Sequence, residues 1–121
     1  YDYIRKKTEL TFYDPNVATK ELVDEVFSIV NNRIKALKII ALARSAIKHN
    51  LGNELQDIKV PTCLIWGRND TITPPEVAED FKKGLPDADL FWIDQCGHAP
   101  MMEVPDEFNV ILSSFLGKHK A

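Results

Sequence analysis

Two side chains in the second half of this chain could do chemistry together, Asp70 and His98. Asp70 stands three residues past Gly67, where a short apolar run ends. His98 stands four past Asp94, where a second apolar run ends. An imidazole backed by a buried carboxylate can take a proton from a nucleophile, while the carboxylate fixes the tautomer and steadies the imidazolium. By spacing alone the plainer reading of each is ahead: a turn or capping Asp, and a solvated or structural His. Gly97 before His98 points to a close backbone approach, although Gly also simply makes turns.

The surrounding elements must bring the two together. Residues 60–66 (Val-Pro-Thr-Cys-Leu-Ile-Trp) read as a strand buried on both faces and ended by Gly67. Pro61 fits the strand's first residues, where a missing donor is tolerated. Thr73-Pro74-Pro75-Glu76 reads as a capping box with Pro at the first helical position, opening a helix through Val77 and Phe81 to Gly84. Leu85-Pro86-Asp87 turns the chain, residues 88–93 form a second strand, and residues 94–102 form a loop. A last helix runs from Pro105 to about Leu116, with Phe108, Ile111, Leu112 and Phe115 on its apolar face. Strand, helix, strand, helix predicts a parallel unit with a right-handed crossover. Open parallel sheets carry reactive groups at the carboxyl ends of their strands, and neighbouring strands lie about 5 Å apart. Loops leaving both strands could therefore bring Asp70 to His98.

The first half reads as helices. An amphipathic segment spans residues 3–12. Asp14-Pro15 looks like an N-cap with Pro at the first helical position, followed by an apolar face of Leu22, Val23, Val26, Phe27 and Val30. Asn31-Asn32 interrupts, and a second helix follows over residues 33–49. Its middle, residues 39–43, is apolar all round, which predicts burial on more than one side. Asn50-Leu51-Gly52 supplies a stop, through the left-handed conformation that Asn and Gly tolerate. A polar connector over residues 53–59 marks an organisational boundary.

Composition narrows the function. The 121 residues are 45% hydrophobic and 27% charged, which is globular rather than disordered. No apolar run approaches the roughly 18 to 20 residues of a membrane span. Residues 1–60 carry ten Lys and Arg against eight Asp and Glu; residues 61–121 carry five against ten. Neither half has the dense basic patch that phosphate backbones demand, so nucleic acid is not an expected partner. Cys63 and Cys96 make no disulfide framework, and as reduced apolar residues they fit a cytoplasmic protein. Two parallel strands alone leave apolar sheet edges bare. Together with a first residue that is Tyr rather than Met, this predicts a fragment lacking its N-terminal part, or a homo-oligomer paired through its strand edges.

The local wording adds to the spacing. Residues 60–74, from Val60 through Gly67-Arg68-Asn69-Asp70 to Pro74, resemble the acid loop of the α/β-hydrolase fold family. Cys96-Gly97-His98 with Glu103, Pro105 and Phe108 resembles the same family's histidine loop, and the separation of 28 residues from Asp70 to His98 is similar too. The resemblance covers residues 52–117. It implies an α/β chain that is the C-terminal part of such a fold: a helical cap segment over residues 1–52, then a core part over residues 53–121. It further implies a Ser-His-Asp hydrolase acting on an ester, or on a C–C bond next to a ketone, with Asp70 as acid and His98 as base. The substrate would be a small molecule, and no cofactor is implied. Cys96-Gly97-His98 with Glu107-Phe108-Asn109 is similar to the meta-cleavage-product hydrolases, and small carboxylesterases share most of it. The family's Gly-x-Ser-x-Gly elbow is missing: Ser28, Ser45, Ser113 and Ser114 all lack its flanks. The chain alone is therefore expected to be inactive. A rival expectation is a non-catalytic binding or assembly module on the same scaffold.

Other candidates read more plainly. Cys96 reads as a small buried residue rather than a nucleophile, and Cys63, Cys96 and His98 lack zinc-ligand spacing. Glu103 reads as a partner for the helix dipole or a loop hydrogen bond. Asp94 is a second option for orienting His98. His49 and His119 look solvated, Trp66 and Trp92 look like sheet-packing aromatics, and Met101 or Met102 could line a pocket or fill space.

Overall fold

The computed structural model describes residues 1–119. Helix α1 (Asp2–Glu9) leads through a 3-10 turn (Pro15–Val17) to α2 (Lys20–Asn31) and α3 (Arg33–Lys48). A second 3-10 turn (Gly52–Asp57) leads to β1 (Thr62–Gly67), α4 (Pro75–Gly84), β2 (Ala88–Ile93), α5 (Pro100–Glu103) and α6 (Pro105–Lys118). No helix among the described residues is long and apolar enough to cross a membrane.

The two strands pair in parallel, in register from Thr62 opposite Ala88 to Gly67 opposite Ile93. Helix α4 packs on both strands and α6 on β1, as a strand–helix–strand–helix unit requires. Pro75, Pro100 and Pro105 each sit in the first turn of their helix, where no N–H is needed. The strands finish level, so both following loops leave from one edge. The ladder continues past them: Arg68 N–H donates to Ile93 O at 2.9 Å, and Asn69 N–H to Cys96 O at 2.9 Å. Gly67 makes this approach possible, because a Cβ there would lie 2.1 Å from Gly97 O and 2.4 Å from Cys96 O. Gln95, at φ 51°, takes the left-handed turn that brings Cys96 back beneath β1. The core runs along β2, from Ala88 at its start to Ile93 and Cys96 at the carboxyl edge, and includes Ala78 of α4.

Several expectations about the helices need correction. Asp14 does not cap the helix carrying Leu22. Its side chain accepts from Asn16 N–H at 2.9 Å and holds the 3-10 turn, while Thr19 caps α2 through Leu22 N–H. The capping box at Thr73 does not form; Pro74 is the cap residue, and Thr73 turns its hydroxyl toward His98 instead. Helix α3 starts as expected, with Asn32 Oδ1 accepting from Ile34 and Lys35 N–H at 3.1 Å. It ends at His49 without a left-handed residue, and Asn50 Oδ1 accepts from Gly52 N–H. Its middle is not buried. Among the described residues α2 is the element packed on it, and Leu42 and Ile47 remain 71% and 81% exposed. His119 is half-buried rather than solvated, because one helical turn places its ring 4.5 Å from that of Phe115.

The close approach at Gly67 can be measured. Gly67→Ala should cost about 3 kcal/mol, because the obstacles are backbone atoms that cannot rotate away. Gly117→Ala, which meets nothing within 4 Å on α6, should be neutral or stabilising by up to about 1 kcal/mol. Urea denaturation of the two variants tests both, and equal midpoints would contradict the packing described.

Candidate active site

Asp70 and His98 meet where the two strand-end loops converge. His98 Nδ1 lies 2.9 Å from Asp70 Oδ2. The Asp70 side chain is 4% exposed and that of His98 41%. The other carboxylate oxygen, Oδ1, accepts from Ile72 and Thr73 N–H, both at 2.8 Å. Asp70 thus fills both roles its sequence context offers: one oxygen folds the turn after β1, and the other faces the imidazole. Three donors compensate a charge that would otherwise be costly to bury. With Nδ1–H donating to Asp70, Nε2 keeps its lone pair on the half-exposed face of the ring and can accept a proton.

The backbone fixes where that ring stands. His98 N–H donates to Thr11 O at 2.7 Å, which ties the histidine loop to the chain after α1. Glu103 supports the same loop, accepting from Gly97 N–H at 2.8 Å. This is the loop hydrogen bond expected of it. The contribution of Thr11 could not be read in advance, since a backbone carbonyl carries no sequence signal. The Thr73 hydroxyl lies 3.5 Å from His98 Nδ1, a placement its sequence context does not signal because the same Thr-Pro-Pro-Glu string matches a helix cap.

The alternatives resolve against chemistry at this pair. Asp94 is 80% exposed and binds Arg68 Nε at 2.6 Å, so it does not orient His98. Arg68 in turn lies over the Trp92 ring, 5.1 Å from its centre. Trp66 packs against Phe81 and donates its indole N–H to Thr73 O at 3.0 Å. Cys96 is fully buried, and burial first, then the neighbouring Glu103 charge, pushes its thiol up to about 12. Such a thiol stays protonated and unreactive at neutral pH. Both methionines line cavities. Met101 borders a cavity of about 120 Å³ beside Asp70 and His98, floored by Trp66 and Gly67. Met102 borders a more apolar one of about 370 Å³ with Phe12, Leu22, Val26 and Val30.

A buried Asp beside a half-exposed His at the shared edge of two parallel strands is compatible with an α/β hydrolase, and the family match is independent of it. The chain belongs to the α/β hydrolase fold family, whose profile matches residues 17–105. It is 31% identical over 117 residues to a 2-hydroxy-6-oxononadienedioate/2-hydroxy-6-oxononatrienedioate hydrolase of a Pseudomonas species, covering 95% of this chain and 41% of that one. It is 42% identical over 59 residues to a pimeloyl acyl-carrier-protein methyl ester esterase of Nitrosomonas europaea, covering 49% of this chain and 23% of the esterase. Among solved structures, an α/β hydrolase from the metagenome of lagoon sediments at Mar Chica, Morocco, superposes with a TM-score of 0.74 at 58% identity. That match covers 82% of this chain and 45% of the other. The chain spans about two-fifths of the length of the 2-hydroxy-6-oxononadienedioate/2-hydroxy-6-oxononatrienedioate hydrolases it matches.

The burial of Cys96 leads to a simple expectation. At pH 8 its alkylation by iodoacetamide should run roughly a hundredfold or more slower in the folded protein than in denaturant, since the folded thiol lies far above the pH and is covered. Peptide mapping after labelling reads this directly; equal labelling in both states would remove Cys96 from the core.

Proposed function

We propose that Asp70 and His98 are the acid and base of a Ser-His-Asp hydrolase whose nucleophile and oxyanion hole lie in residues outside this chain. The observation that carries the reading is the 2.9 Å contact between His98 Nδ1 and a buried Asp70 at the shared carboxyl edge of two parallel strands. His98 Nε2 would take the proton of an attacking Ser hydroxyl as its oxygen bonds to the substrate carbonyl carbon. The imidazolium, steadied by Asp70, would then give that proton to the departing oxygen or carbon. Water, activated by the same nitrogen, would release the acyl group and restore the Ser.

The proposed substrate is a small molecule carrying an ester, or a ketone whose neighbouring C–C bond is cleaved, a reading supported by relatives named as a hydrolase of oxo-dienedioates and as a methyl ester esterase. In this reading residues 1–52 form a helical cap segment over the site and residues 53–121 the C-terminal part of the core. The apolar cavity between α1, α2 and Met102 then sits where cap and histidine loop adjoin. Free Cys63 and Cys96 suit a cytoplasmic setting.

Two experiments test this. In the active protein containing these residues, His98→Ala should lower kcat at least roughly a thousandfold, and Asp70→Asn should also be severe, whereas Asp94→Asn should have little effect. Near-normal turnover by His98→Ala would end the reading. Residues 1–121 expressed alone should show no turnover of p-nitrophenyl esters beyond that of a His98→Ala control. A His98-dependent rate in that preparation would mean that the nucleophile is present after all.

A further inference from the structure

Glu103 takes no part in the proton transfers proposed above, yet its carboxylate joins segments about ninety residues apart. Oε1 accepts from Tyr13 N–H at 2.6 Å and from Asp14 N–H at 2.9 Å. Oε2 accepts from Gly97 N–H at 2.8 Å and lies 3.8 Å from Cys96 Sγ. Gly97 immediately precedes His98, whose own N–H donates to Thr11 O. Between these bonds the two backbones touch: a Cβ on Gly97 would lie 2.7 Å from Thr11 O and 2.8 Å from Tyr13 N. The acid loop reaches the same strip, with the Thr71 hydroxyl donating to Leu10 O at 3.3 Å. Residues 10–14 therefore back both loops of the site, and Glu103 fastens the histidine loop to them.

We propose that Glu103 is a positioning residue for His98, its carboxylate holding the Cys96–His98 backbone against residues 11–14 and so setting where Nε2 points. The His98 side chain is half-exposed and is oriented chiefly by its Nδ1 bond to Asp70. Any drift of its backbone therefore passes straight to Nε2. A displacement of about 1 Å at a reacting atom costs on the order of a hundredfold in rate. Charge matters as well as shape, because all three N–H groups donate to Glu103. The amide of Gln would turn either its NH2 toward Gly97 N–H or its single oxygen away from Tyr13 and Asp14. The same carboxylate couples the chain entering α2 to the histidine, so movement of that helix would be felt at the proton-accepting nitrogen.

The inference rests on the hydrolytic reading of His98, and one set of variants separates the two. Glu103→Gln, Glu103→Asp and His98→Ala are made in the active protein containing these residues. Folded fractions are taken from thermal melts and near-ultraviolet circular dichroism, and kcat and KM are measured per folded molecule. Glu103→Gln should lower kcat roughly 10- to 100-fold with KM changed by less than about threefold. The downfield proton resonance of His98 Nδ1–H should shift or broaden in the same variant. Inactive His98→Ala beside Glu103→Gln of unchanged kcat and unchanged resonance would overturn the positioning role alone. Active His98→Ala would overturn the hydrolytic reading beneath it. If neither Glu103 variant folds, the carboxylate is a stability element and the positioning assignment falls.

Discussion

The site depends on a contact that tolerates no side chain. The end of β1 meets the histidine loop backbone to backbone, with Gly97 O occupying the space a Cβ on residue 67 would need. Level parallel strands bring the loops to one edge, and there the histidine loop folds back onto residue 67, where only glycine leaves room for its carbonyls. Removing the side chain at position 67 allows the ladder to continue through Arg68 and Asn69, and three residues of loop then suffice to reach the imidazole.

Two carboxylates organise that contact in the same manner. Each divides its oxygens between local structure and a distant partner. Asp70 folds its own loop with Oδ1 and faces His98 with Oδ2. Glu103 secures Gly97 with Oε2 and reaches back to Tyr13 and Asp14 with Oε1. Burying or half-burying a negative charge is costly unless donors surround it, and here the donors are mostly backbone N–H groups that cannot rotate away. Compensating the charge and fixing the geometry are the same act. The neighbouring Cys96 thiol feels the other side of this arrangement: enclosed and beside Glu103, it is held in its neutral form.

The helical half follows a looser rule. Helix α1 is anchored to the strand edge through Thr11 and Glu103, and α2 packs on α1, but α3 packs on α2 and buries no residue of its own. Its aliphatic side chains, among them Ile34, Leu37, Leu42 and Ile47, stay exposed at positions spread around the helix. Packing therefore thins with distance from the site, from backbone contacts at Gly97 to the exposed apolar side chains of α3.

Local chemistry was legible in the residues wherever neighbours in sequence decide the outcome. Alternation of apolar runs with Gly and Pro marked β1, α4, β2 and α6, and Asn32 marked the start of α3, because strand burial and helix capping act over a few residues. The family wording around Asp70 and His98 was legible in the same way. Tertiary structure decided which of two local options each polar side chain took. Thr73 could have capped α4 but faces His98, and Asp14 could have opened α2 but holds a 3-10 turn. The apolar run of α3 indicated a surface to be covered, yet pattern alone does not say what covers it. Glu103 reaches donors about ninety residues away, and Thr11 acts through a carbonyl every residue possesses. Such bonds leave no mark in sequence, since they are made by backbone groups that become neighbours only when the chain folds.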